Sequence, residues 1–273
     1  MLSSLPADSY TAQRPGIDPR HPAGDMEATR PHILAATDGS LFADAALRMA
    51  AALADRDGGL VEVETVMETP PRTLGAREVG ADIARAASER GCELITLGLS
   101  EHDAFDRALG RETALQVARY AHVPVLAVDA GATTLPKRVM VAAELGGASL
   151  HTARAALHLL GREGTIHLVH VEPRIPVPFA GSRVHDVPAP NEMHPPFDVL
   201  LRDLVAPRTV RIECTRLFGD PVSEMLRFAG EEGIELIAAG TRRRAPLLKT
   251  VLGGIATKLF RRARCSVLLV PST

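Results

Sequence analysis

Two stretches of this chain, 142 residues apart, are nearly the same. Residues 84–98 read ARAASERGCELITLG and residues 226–240 read LRFAGEEGIELIAAG. Eight of the fifteen pairs are identical: Arg85/Arg227, Ala87/Ala229, Glu89/Glu231, Gly91/Gly233, Glu93/Glu235, Leu94/Leu236, Ile95/Ile237 and Gly98/Gly240. The same offset carries residues 125–128 (VLAV) onto 267–270 (VLLV) with no gap between. Nearer the front, residues 32–38 (HILAATD) match 138–144 (RVMVAAE) at an offset of 106. A chain that repeats itself over this period builds one supersecondary unit twice. The two offsets differ by 36 residues, so the first copy lacks about one helix and one strand.

Each copy alternates short apolar runs with helical patterns. In the second copy the strands fall near 139–143, 166–171, 210–214, 234–239 and 267–270. In the first they fall near 33–36, 60–66, 94–97 and 125–128, and the second of these has no unique alignment. Most are apolar throughout, as strands covered on both faces should be. Helical spacing marks 149–160 and 221–230, where Asp220 suits an N-cap and Pro221 a first turn. Strand–helix alternation implies parallel sheets with right-handed crossovers. The missing unit is tolerable if its strand lay at a sheet edge.

Composition removes other classes. Hydrophobic residues make up 46% and charged residues 23% of the 273, a globular balance with room for two cores. No apolar run approaches the roughly 18 residues that cross a bilayer. The opening Met-Leu-Ser-Ser-Leu-Pro has neither part of a secretory signal. A soluble cytoplasmic protein with no membrane partner is expected. A net charge of −2 and the absence of Trp argue against a nucleic-acid partner. Cys92, Cys214 and Cys265 fit no metal spacing and read as small buried hydrophobes. Residues 1–30 carry Pro6, Pro15, Pro19 and Pro22 without periodicity, and read as a disordered tail. That leaves an N-terminal domain over 31–130 and a C-terminal domain over 136–273.

In open parallel sheets, ligands bind beyond the carboxyl ends of the strands where strand order reverses. In the second copy that place collects Glu144, His170-Val-Glu172 at the end of the second strand, the run Gly240-Thr-Arg-Arg-Arg-Ala-Pro, and Gly253-Gly254 at the start of the last helix. Glycines before a helix N-terminus let backbone N–H groups approach a phosphate.

Ile33-Leu-Ala-Ala-Thr-Asp-Gly-Ser40, Gly219-Asp-Pro-Val, Glu235-Leu-Ile-Ala-Ala-Gly-Thr and Cys265-Ser-Val-Leu-Leu-Val-Pro271 resemble the universal stress protein family. The resemblance covers about 32–129 and 137–271. It implies two tandem α/β domains with parallel sheets, flavodoxin-like and akin to the adenine nucleotide alpha hydrolases. It also implies an intrachain pseudo-dimer or a homodimer, and a stress-response role without enzymatic activity. A subset of the family binds ATP through an acidic residue after the first strand and a Gly-x2-Gly-x9-Gly-Ser/Thr loop after the fourth.

By that resemblance the nucleotide-binding positions in the second copy are Glu144, Gly240, Thr241, Arg243, Gly253 and Gly254. Arg243 replaces the motif's middle glycine and Gly254 its Ser/Thr. In the first copy Asp38 and Gly98 match, while Glu101, Arg111 and Glu112 occupy the other three places; two carboxylates there repel a triphosphate, so that site is read as dead for ATP. In the second copy Arg243 restricts the backbone, yet Arg242, Arg243 and Arg244 supply charge for a phosphate. ATP, another anionic ligand, and no ligand therefore stay open.

Other chemistries fail on spacing. Lys249-Thr250 lacks the glycines of a phosphate loop, and no Gly-x-Ser-x-Gly elbow exists. His167 and His170 are three apart on a strand and point to opposite faces, so they share no metal. A slow ATPase or phosphotransfer enzyme needs a cation site and an activated nucleophile, and no residues are arranged for either. A nucleotide-free interaction scaffold is the third reading. The proline-rich run 173–196 is read as a long connection before a helix near 197–204. By resemblance, 123–128 and 266–271 are edge strands with no charge to discourage pairing, and are expected to pair with each other.

Overall fold

The repeat seen in the sequence reappears as repeated hydrogen bonds. The computed structural model describes residues 8–10, 30–38, 43–66, 76–99, 104–143, 148–172, 195–207, 209–241 and 253–271. A first half runs β2 (His32–Thr37), α1 (Ala43–Asp57), β3 (Leu60–Thr65), α2 (Ala76–Glu89), β4 (Leu94–Leu99), α3 (Ala104–Tyr120) and β5 (Val125–Asp129). A second runs β6 (Arg138–Ala142), α4 (Ala148–Leu159), β7 (Gly164–Glu172), α5 (Pro195–Asp203), β8 (Val210–Phe218), α6 (Pro221–Glu231), β9 (Leu236–Thr241), α7 (Gly254–Arg262) and β10 (Ser266–Pro271). Ahead of both lies the short β1 (Asp8–Tyr10).

Gly91 and Gly233, the shared glycine of the repeat, both sit at positive φ, +66° and +61°. They end α2 and α6 in the same way. Cys92 N–H donates back to Ala87 O and Ile234 N–H to Ala229 O, both at 2.9 Å, the bond that closes a helix around a left-handed glycine. Further along, Glu93 N–H donates to His32 O and Glu235 N–H to Arg138 O. Gly59 and Gly164 complete the match: a Cβ at either would lie 2.4 Å from a carbonyl oxygen, of Pro31 and Lys137 respectively. This fixes β3 as the counterpart of β7, an alignment the sequence left open. The unit missing from the first half is therefore α5 with β8.

The ten strands among the described residues form one sheet, in the order β1-β8-β7-β6-β9-β10-β5-β4-β2-β3. Within each half the strands run parallel. The halves meet where β10 and β5 pair antiparallel, Val267 opposite Ala127, Leu268 opposite Leu126 and Leu269 opposite Val125. These are the two strands that the sequence left unguarded.

The outer edges differ. In the second half the edge strand β8 is covered by β1, with Asp8 opposite Arg216 and Tyr10 opposite Cys214. Asp8–Tyr10 falls in the segment expected to be a tail without regular structure; its partner supplies the unpaired edge that a three-residue strand needs. In the first half β3 is the edge. It reads Leu-Val-Glu-Val-Glu-Thr, an alternating pattern, and Leu60 and Val63 remain 57% and 52% exposed. Glu62 and Glu64 hold Arg90, and Glu62 also meets His32 at 2.7 Å.

The sheet is covered on both faces. Helices α2, α3, α6 and α7 close one core and α1, α4 and α5 the other. Cys92 and Cys214 are buried as expected, and burial pushes the Cys214 thiol up to about 12; Cys265 is only half-buried. Among the described residues no helix is long and apolar enough to cross a membrane.

Candidate functional site

Strand order reverses between β6 and β9 in the second half and between β2 and β4 in the first. Each reversal leaves a crevice at the carboxyl ends of its central strands. Because β5 and β10 run antiparallel, the two crevices open at opposite ends of the sheet. Asp38 and Gly98 are thus at one end, and Gly240, Thr241, Gly253 and Gly254 at the other.

In the second half, β6 and β9 pair side by side up to Ala142 and Ala239. Gly240 and Thr241 follow directly. A Cβ on Gly240 would sit 3.0 Å from Thr152 Oγ1 on α4, and Thr152 is 1% exposed. Gly240 therefore lets helix and strand approach closely, whatever else it does. Thr241 is buried, and its hydroxyl donates to Val270 O at 3.2 Å, so its hydrogen is spent inside the fold.

Gly253 is the N-cap of α7, with no side-chain cap, and Thr257 N–H donates to its carbonyl at 3.0 Å. A Cβ at Gly254 would meet open space. The first turn of α7 has no acidic residue of its own to offset the positive end of the helix. The neighbouring α6 is closed by contrast. Asp220 caps it by accepting from Ser223 N–H at 2.9 Å, and hydrogen bonds from Ser223 hold its carboxyl below the usual range, helped by Lys258 and Arg262.

His170 and Glu172, which the sequence places at the end of the second strand of this copy, lie at this end as well. His170 pairs its Nδ1 with Ala143 O at 2.9 Å, which makes that nitrogen the donor. Glu172 pairs with Arg216, whose guanidinium lies 4.8 Å from the Phe218 ring centre. The sequence places His170 at this end as a strand histidine, but no local signal marks its carbonyl partner, 27 residues away. His167 points to the other face against Phe228, ring centres 5.6 Å apart.

Glu144 and Arg243 lie outside the described residues, as do Arg242, Arg244, Glu101, Lys249, Thr250 and the run 173–194. In the first half, Asp38 is exposed just after β2, and Thr37 O accepts from Val66 N–H. Gly98 lies within β4, paired with Val128. Glu112, one of the carboxylates that weigh against a phosphate there, accepts from Arg261 of α7 at 3.1 Å and from Gln116.

The family model of the universal stress proteins matches residues 136–271. The chain belongs to the universal stress protein family. A universal stress protein from Methanocaldococcus jannaschii, MJ0531, is 25% identical over 140 residues, 50% of this chain and 82% of that one. Among solved structures, a universal stress protein from Archaeoglobus fulgidus superposes with a TM-score of 0.61 at 16% identity, covering 89% of this chain and 97% of its own. A putative universal stress protein from Pseudomonas aeruginosa gives 0.53 at 17% identity, covering 90% and 84%. At those identities the structures establish the fold alone. They cover both halves of this stress protein, whereas the family model matches only the second.

Proposed function

We propose that this universal stress protein is a non-enzymatic, cytoplasmic stress-response factor that binds one ATP or related nucleotide per chain, in its second half. The observation that supports the reading is the uncapped N-terminus of α7, with Gly253 and Gly254 beside the β6–β9 crevice. A helix start without a side-chain cap and without an acidic residue in its own first turn suits a phosphate. Glu144 and the arginine loop complete the site by family resemblance. By resemblance the first half carries no equivalent: Glu101, Arg111 and Glu112 replace its motif residues, and positions 111 and 112 fall inside α3 rather than at a helix start.

A nucleotide-free scaffold is the second reading, and two contacts favour it. Gly240 is accounted for by Thr152 and the Thr241 hydroxyl by Val270. Mass spectrometry of small molecules released from the purified protein, followed by calorimetric titration with ATP, separates the two. The expected result is one site per chain that Gly253→Val abolishes, since a branched side chain fills the space where phosphate meets backbone N–H groups. Two equivalent sites, or binding that survives Gly253→Val, would overturn the assignment; no bound nucleotide and no titration would leave the scaffold.

A further inference from the structure

A cavity of about 210 Å³ opens where the two halves meet, at the end of the sheet opposite the proposed nucleotide site. It lies at the carboxyl end of β5 and at the amino ends of β9 and β10, closed on one side by the connection through Thr133, Thr134 and Pro136. Its floor is apolar: Met49 and Leu126 from the first half, Leu159 and Leu236 from the second, all buried. At about 210 Å³ it exceeds the roughly 150 Å³ that holds a benzene ring.

Its polar groups carry both signs. Asp129 accepts from Gly131 N–H through Oδ1 at 3.0 Å, leaving Oδ2 for another donor. Glu235 takes Lys137 N–H and Arg138 N–H on Oε2, leaving Oε1. Arg264 is exposed, and makes no ion pair or hydrogen bond among the described residues. Ser266 is only 4% exposed; its Oγ accepts from Asp129 N–H at 3.0 Å, and its own hydroxyl hydrogen has no acceptor among the described residues. A hydroxyl buried that far with its donor unspent marks a place where a partner belongs. Two carboxylates with free oxygens, a free guanidinium and a free hydroxyl surround an apolar floor of limited size.

We infer that this junction cavity binds a small zwitterion, an aliphatic α-amino acid, with its ammonium toward Asp129 and Glu235, its carboxylate toward Arg264 and Ser266, and its side chain on Met49, Leu126, Leu159 and Leu236. A lone anion leaves the two carboxylates unpaired, and a lone cation leaves Arg264 and Ser266 so. The inference does not depend on the nucleotide reading, because the cavity shares no residue with that site.

Calorimetry and amide NMR on the full chain test it with L-leucine, 4-methylpentanoate, which lacks the ammonium, and 3-methylbutylamine, which lacks the carboxylate. Leucine is expected to bind once and saturably, moving the amide signals of Gly131, Thr133, Thr134 and Ser266. Each analogue is expected to bind about tenfold more weakly, since each forgoes a charge-assisted hydrogen bond. Arg264→Gln, at an exposed residue with no partner to lose, should bring leucine down to the level of the amine and leave the amine unchanged. Absence of saturable binding, an analogue that binds as well as leucine, signals moving at Gly240 and Gly253 instead, or an Arg264→Gln protein that still prefers leucine would each overturn the proposal.

Discussion

The two halves share a plan and differ at their outer edges and in what sits there. The second half keeps α5 and β8, and its last strand is in turn covered by β1. The first half lacks the pair, so β3, which corresponds to the interior β7, is left at the edge. Its residues have changed to suit. Where β7 places His167 in register with Met140, β3 places Glu62 in register with Leu34. His167 is buried against Phe228, while Glu62 sits half-exposed with His32 and Arg90. Charged side chains on an edge strand discourage pairing with another chain, and β3 carries two. Edge and interior versions of the same strand thus keep their place beside the first strand of their half and differ in side chains, Glu62 for His167 and Glu64 for Val169.

The comparison breaks hardest at the seam. Leu268 is fully buried opposite Leu126, and both halves depend on that pairing. Leu268→Asp puts an unpaired charge there and should cost at least about 3 kcal/mol. Both halves should lose structure together in thermal unfolding followed by circular dichroism. Two separate transitions would mean the halves are independent. A smaller change asks whether the repeat is energetically as well as geometrically equivalent. Gly59→Ala and Gly164→Ala each push a Cβ to 2.4 Å from a carbonyl oxygen, and each should cost about 1–3 kcal/mol, by similar amounts in urea melts. A large inequality would show that the shortened half relaxes where the full one does not.

The smallest effect is a difference in acid response. Burial lowers the His167 pKa in the folded protein from its ordinary 6.5, against the opposing pull of Glu213 and Glu232. As pH falls through 6.5, the unfolded chain takes up a proton that the folded one resists, so stability falls with pH until the lowered folded value is reached. His167→Leu should flatten that part of the stability–pH curve, measured by urea melts from neutral to mildly acidic pH. An unchanged slope would assign the acid response to other groups.

Much of this was legible in the sequence because the informative contacts are local or repeated. Gly91 and Gly233 announce the same helix end twice, and the apolar runs 125–128 and 267–270 announce strands without edge protection. The missing α5–β8 unit could be counted from the two offsets. What was hidden depends on residues distant along the chain. Nothing near Gly240 signals that Thr152 packs on it, and nothing near Asp8 signals the open edge of β8. The junction cavity was hidden for the same reason, since Asp129 and Ser266 meet across 137 residues. One trace was visible: at the offset of 142, His122-Val-Pro124 stands where Arg264-Cys-Ser266 stands. Of the cavity's polar groups, Arg264 and Ser266 stand where the repeat decays, while Glu235 is shared with Glu93.

The antiparallel seam between β5 and β10 has a consequence for how such a molecule can change. When two identical chains meet about a two-fold axis, every substitution occurs twice, and a surface can only be modified on both sides at once. Joining the copies into one chain lifts that restriction. Arg264, Cys265 and Ser266 could arise at one end of the seam while His122, Val123 and Pro124 stayed at the other, and one copy could shed a helix and a strand while its twin kept them. Covalent linkage makes the two faces of a pseudo-symmetric contact separately heritable.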